Sequence, residues 1–243
     1  MRNLRWGSLI AGLCVFTSAH AITADELVQK NIEARGGLAA IHAIASLRTE
    51  GKLRVGGGLE LKQVDLVKAP DKARDEITFQ GLTQISAYDG KQAWQISPFE
   101  GRKDPQKLSA DDSKQLVEAA DLAGPLVDYK AKGNHIEYLG TEDIDGTDAH
   151  KLKVTRPNGD YLYVYLDPDY FLEIREINHR HIRGQDDVST VDVGEYEKVN
   201  GVYFPFSTEG NGTQIIEKAE ANVNVDETVF AFPSAAPAAA KTH

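Results

Sequence analysis

The sequence is poor in sulfur: its only cysteine is Cys14 and its only methionine is Met1. Cys14 lies near the N-terminus, so a chain cut after Ala21 carries no thiol, which excludes disulfides, cysteine nucleophiles and thiolate metal sites. Long apolar segments are lacking as well. The run Trp6 to Phe16 falls short of the ~20 residues that span a bilayer as a helix, and no later stretch is apolar enough to do so. Cations are scarce, with 27 Lys and Arg against 37 Asp and Glu and a net charge of −10. Two of those cations, Arg2 and Arg5, sit in the first few residues, so the remainder is more acidic still. Such a field repels phosphate backbones and anionic head groups, and nucleic acid is not an expected partner. Catalytic signatures are missing too. There is no G-x-S-x-G elbow, and Gly56-Gly57-Gly58 is followed by no Lys-Ser/Thr pair and opens no helix, so it reads as a hairpin connection.

What is present begins with a basic start, an apolar run and Ala19-His20-Ala21, the layout of a cleaved secretory signal peptide over residues 1–21. Lipid attachment at Cys14 is disfavoured because Leu13, not a small residue, precedes it. Thr23-Ala24-Asp25-Glu26 forms a capping box, in which a hydroxyl and a carboxylate each satisfy a free amide, and a helix is expected from there to Gly36-Gly37. A second short helix is expected over 38–44. From Leu47 onward, short apolar runs alternate with turn pairs: Asp89-Gly90, Asp145-Gly146, Asn158-Gly159, Asn200-Gly201 and Asn211-Gly212. Two-residue hairpins need positive φ at their centre, which these residues tolerate. The pattern predicts an antiparallel meander of about a dozen strands, mainly β with a few helices. One helix interrupts it over 109–122, with Ser109 as cap, acids in the first turn and Leu116, Val117 and Ala120 as its apolar stripe. Residues 22–232 are expected to form one domain, and the Ala/Pro-rich 233–243 a disordered tail.

Candidate chemistry concentrates in YLYVYLDPDYFLEIREINHRHIRG, residues 161–184. Asp167 and Asp169 would suit acid/base work if their environments drove their pKa values apart, yet Asp-Pro-Asp between two apolar runs is first of all a turn. His179 and His181 would face one side of a strand, but two ligands make half of a usual zinc site and nothing nearby completes it. Neither a metal nor a cofactor is expected, and no enzyme. More distinctive is the strand itself: Tyr161, Tyr163 and Tyr165 face one way while Leu162, Val164 and Leu166 face the other. A strand apolar on both faces is covered twice or lines a hollow. Phe79, Trp94, Ile96, Phe171 and Phe204 join the three tyrosines as candidates either for the lining of a lipid-binding cavity or for ordinary core.

Several short motifs carry a resemblance. They are the signal peptide, A-R-G-G at 34–37, Ile44-Ala45-Ser46-Leu47, Y-D-G-x-x-x-W at 88–94, L-D-P-x-Y-F-L at 166–172 and V-F-A-F-P at 229–233. Together the layout resembles the LolA-like outer-membrane lipoprotein-sorting proteins. The resemblance implies an incomplete antiparallel barrel plugged by short helices, with a hydrophobic cavity for the acyl chains of lipids or lipoproteins. Each buried CH₂ is worth about 0.8 kcal/mol, so an acyl chain crosses water only inside a carrier. The expectation is a monomeric periplasmic carrier or sensor that meets inner- or outer-membrane proteins. Its alternative is an envelope-assembly or regulatory protein using the same fold as a docking surface.

Overall fold

A computed structural model describes residues 22–233, so the expected leader and all but the first residue of the expected tail lie outside the described residues. Helix α1 (Ala24–Ala34) starts at the anticipated box: Thr23 N donates to Glu26 Oε2 (2.7 Å) and Glu26 N to Thr23 Oγ1 (3.2 Å). It ends where Gly36 takes φ +124°, and a Cβ there would run into the carbonyl oxygen of Gly201. Tyr203 N donates to Arg35 O nearby (2.8 Å), so the A-R-G-G motif is the place where the helix end docks on a hairpin turn. Helix α2 (Leu38–His42) follows.

Among the described residues, thirteen strands form one antiparallel sheet. They are β1 (Ser46–Val55), β2 (Leu59–Lys68), β3 (Lys72–Phe79), β4 (Leu82–Tyr88), β5 (Ala93–Ser97), β6 (Arg102–Lys107), β7 (His135–Ile144), β8 (Thr147–Thr155), β9 (Tyr161–Leu166), β10 (Glu173–Ile182), β11 (Gln185–Val199), β12 (Val202–Glu209) and β13 (Thr213–Ala221). Their order is β6-β5-β4-β3-β2-β1-β13-β12-β11-β10-β9-β8-β7, an open sheet with β6 and β7 at its edges. The meander is as expected except for β6, whose RKDPQK carries a proline and no apolar alternation. Asp145-Gly146 and Asn200-Gly201 both hold positive φ across their pairs, as the hairpin argument requires. Gln80-Gly81 and Arg183-Gly184 do so as well, with no Asn or Asp to announce them.

Helix α3 (Ala110–Ala119) is capped by Ser109, whose Oγ accepts from Asp112 N (3.1 Å), and it carries the chain from one edge of the sheet towards the other. It touches β3, β4 and β5 and also β10. Adjacent strands lie ~4.8 Å apart, so β4 and β10, seven spacings from one another, would be about 34 Å apart on a flat sheet. A helix about 10–12 Å across, and about 15 Å long at ten residues, reaches both only if the sheet curls round it. The result is an open half-barrel with α3 inside the curl.

The main core lies between the sheet and α1. Leu27, Val28 and Ile32 of that helix meet Leu152, Val154, Leu162, Val164, Leu166, Val202, Phe204 and Phe206, with Ile41, Leu47, Leu126 and Val127 closing the cluster. A fully buried Leu or Phe contributes roughly 1.5–3 kcal/mol, so this wall is the chief source of stability for the β7–β13 half.

Candidate functional site

The position of α3 decides which sheet face is concave. Glu118 of α3 receives Arg180 of β10 through Nε (3.0 Å) and Nη2 (2.7 Å), so Arg180 points inward. Asn178 and Glu176 share its face by alternation, and they lie opposite Leu162 and Val164 of β9. Leu162, Val164 and Leu166 are therefore concave, under α1. Tyr161, Tyr163 and Tyr165 lie on the convex side, where the first two are half-buried and Tyr165 is fully buried.

Much of the concave floor is polar. Leu47 belongs to the inner core, so Thr49 on the same face also points inward, and it lies across from Asp65, which lies across from Asp75. Gln63 Nε2 donates to Asp65 Oδ1 (3.1 Å) and Asp75 Oδ2 (2.9 Å), while Gln214 Nε2 donates to Asp65 Oδ2 (2.7 Å). Burial, helped by the facing Asp65 carboxylate, pushes Asp75 up to about 8. On β10, burial and the neighbouring Glu173 push Glu176 up to about 7, and burial raises Glu173 too. The Tyr196 hydroxyl donates to Glu173 O (3.0 Å) beside them. Sequence reading missed these acids: Asp65 and Glu173 stand between apolar residues like any solvent-facing strand residue, and Asp75 and Glu176 stand beside other charged residues, Arg74, Glu76 and Arg175, as on an ordinary wetted strand.

Helix α3 is held by charge. Glu118 also lies 3.3 Å from Arg156 Nη1; Lys114 Nζ meets Asp160 (2.8 Å) and His181 O (2.6 Å); and Arg183 N donates to Asp111 Oδ2 (2.8 Å). The expected apolar stripe is incomplete, because Val117 is 40% exposed while Ser113 and Ala120 are buried.

Two adjoining clefts flank α1. One, of about 390 Å³, has a floor of Val28, Ile32 and Leu126, a rim with Leu38, which is 42% exposed, and polar borders at Asp25, Gln29, Asp128 and Lys130. The other, of about 380 Å³, lies between Thr23, Ala24 and Asp25 of the helix start and Asn134, His135 and Ile136 at the beginning of β7. Asp25, Tyr129 and Lys130 border both. The Tyr129 hydroxyl and Lys130 Nζ (3.1 Å) donate to Asp25 and hold its carboxyl below the usual range.

The expected site residues do not converge. Trp94, 2% exposed, donates through Nε1 to Phe230 O (2.8 Å) and meets Phe232 edge-on, so the V-F-A-F-P segment seals it. Ile96 pairs with Ile85 on the next strand, and Phe79 sits across from Leu82 at a hairpin tip. Phe204 belongs to the core under α1. Phe171, at φ +56°, stacks on His150 with Lys30 4.5 Å above its ring, and its carbonyl accepts from buried Asn31 (2.9 Å). On the convex side Tyr161 stacks against His179 at 4.4 Å, Lys153 and Lys151 lie over Tyr161 and Tyr163, and the Tyr165 hydroxyl donates to Glu142 (3.1 Å). Asp167 behaves as a turn residue, its Oδ1 accepting from Asp169 N (2.8 Å) and Tyr170 N (2.7 Å). His181 Nδ1 pairs with Asp186 (3.0 Å), and among the described residues no group of three or more His, Asp or Glu is placed to hold a metal ion. Nor is any helix among them long and apolar enough to cross a membrane.

No family model matches the chain, and no curated protein matches it. Solved structures do. A LolA superfamily protein from Nitrosomonas europaea superposes with a TM-score of 0.57 at 15% identity, over 87% of this chain and 98% of that one. A DUF1329 family protein from Desulfovibrio piger gives 0.56 at 12% identity over the same shares. A domain described as outer membrane lipoprotein-sorting, from Vibrio parahaemolyticus, gives 0.53 at 11% identity, over 85% and 95%. At such identities the likeness speaks for architecture. The open thirteen-stranded sheet curled round its helices is a LolA-like half-barrel.

Proposed function

We propose that the protein is an exported periplasmic carrier or sensor that takes an acyl chain of a lipid or lipoprotein, with no catalytic step. The observation that supports this is the cleft of about 390 Å³ beside α1, floored by Val28, Ile32 and Leu126 and edged by exposed Leu38. Its size falls within the 300–1,000 Å³ typical of ligand pockets, and its apolar floor with a polar border suits a chain whose head group stays in water. The polar ladder of Asp65 and Asp75 makes the sheet floor beneath β1–β4 a poor bed for hydrocarbon, which is why the reading seats the chain against α1. Likeness of fold to a lipoprotein-sorting domain agrees with it.

Organic extraction of the protein, exported and purified without detergent, followed by mass spectrometry, is expected to release a fatty acid or phospholipid. Leu38→Asp is expected to weaken uptake of a fluorescent fatty acid about tenfold, the equivalent of about 1.4 kcal/mol, with the fold intact because the side chain is exposed. An empty extract together with no uptake by the unaltered protein would sink the proposal. The alternative, an envelope protein that docks polypeptides, is favoured by one feature, the ten-residue edge strand β7, which carries neither proline nor lysine.

A further inference from the structure

An open sheet has two edges, and each presents a row of unpaired backbone N–H and C=O groups that can template another strand. The two edges here are treated differently by the sequence. Strand β6 is six residues long, carries Pro105 in its interior and Arg102, Lys103 and Lys107 along it, and its pairing with β5 is broken by a register shift. Proline and lysine are ordinary devices that blunt an edge. Strand β7 is ten residues long and has neither proline, lysine nor arginine. Its exposed positions include Leu139, at 48%, and its single irregularity is the shift between Tyr138 and Thr141, where Gly140 takes φ +94°.

The charge on β7 is one-sided. Glu137, Glu142 and Asp143 stand along it with no Lys or Arg among them. His135 lies 3.8 Å from Glu137, and Glu142 is engaged by Lys151 Nζ (2.7 Å) and the Tyr165 hydroxyl. The cleft of about 380 Å³ opens where β7 begins, bounded by His135, Ile136 and the start of α1. A strand added to β7 would therefore run with one end at a ready pocket for a side chain. Main-chain bonds supply affinity in such augmentation, and alternate side-chain pockets supply selectivity.

We infer that β7 is a docking edge for an extended, cationic segment of another polypeptide, which adds to the sheet as a fourteenth strand. Acids on the edge complement its lysines or arginines, and the net charge of −10 steers it in. A second copy of this chain is the poorer occupant of the same edge, because β7 against β7 would set Glu137, Glu142 and Asp143 against their own like charges. The inference rests on the sheet and not on acyl binding, so either can fail alone.

The probe is an acetylated nine-residue peptide of alternating lysine and valine, labelled for fluorescence anisotropy. Saturable binding is expected, with new hydrogen-exchange protection at β7 amides. Glu137→Lys with Leu139→Lys, two exposed positions, is expected to weaken binding at least about tenfold while leaving the thermal midpoint unchanged. The same peptide N-methylated at alternate residues keeps its charge, loses its donors and is expected not to bind. Several results would overturn the inference: no binding at all, equal binding by the methylated peptide or by a glutamate–valine peptide, no added protection in β7, binding unaffected by the double substitution, or dimerisation of the free protein through this edge.

Discussion

Gln80 shows what a tight hairpin asks of a single residue. It joins β3 to β4 with Gly81 at φ +48° and +80°, a left-handed pair in which an ordinary side chain is strained by roughly 1–2 kcal/mol. Gln80→Asn is expected to raise stability by up to about 1 kcal/mol, read from urea unfolding. The opposite holds for Gly36, where positive φ coincides with close approach to Gly201 O, so Gly36→Ala is expected to cost more than about 2 kcal/mol. Asp75 governs a pH response. Its carboxyl titrates near 8 when folded and near 4 when unfolded, so between those values the folded state holds more protons and stability falls as pH rises. The thermal midpoint is expected to climb on acidifying from pH 8 to pH 5, and Asp75→Asn to flatten that slope by up to about 1.4 kcal/mol per pH unit. A slope unchanged in the variant would assign the response to Glu173 and Glu176 instead. The inward place of Asp75 was not legible beforehand, since an acid on a strand looks the same whether its face meets water or the inside of a curl.

At the level of elements, helix α3 is the instructive case. Its cap follows from Ser109 and the acids after it and was readable, but the helix stops at Ala119, short of the expected 122. Its docking was not. Leu116, Val117 and Ala120 suggested an apolar stripe, whereas the contact that fixes it is Glu118 between Arg180 and Arg156, with side chains 14%, 9% and 16% exposed. Removing one member strands the others, which costs about 3–5 kcal/mol when such charges are buried. Glu118→Leu is therefore expected to lose about that much stability, read by denaturant unfolding, with faster hydrogen exchange in β3–β5 and β10. Strand β6 was missed for a related reason. Its residues have no apolar face because an edge strand outside the core needs none.

For the whole molecule, the sheet and α3 form one closed circuit of contacts: β6 leads into α3, and α3 touches both limbs of the curl. A single calorimetric transition is expected for the protein, and both Glu118→Leu and Phe230→Ala, the latter at a fully buried residue whose carbonyl accepts from Trp94, are expected to lower that same transition. Two resolved transitions would mean that the β1–β6 and β7–β13 halves unfold separately. The amino-acid order alone determined the capping box, the hairpins at Asp145-Gly146 and Asn200-Gly201, the antiparallel meander and the turn at Asp167, because each depends on the backbone preferences of residues a few positions apart. Only the tertiary structure decided that Tyr161, Tyr163 and Tyr165 lie on the convex side, that Asp65, Asp75 and Glu176 face inward and that β7 is an edge, because the inside of a curled sheet is fixed by where a helix from a distant part of the chain comes to rest.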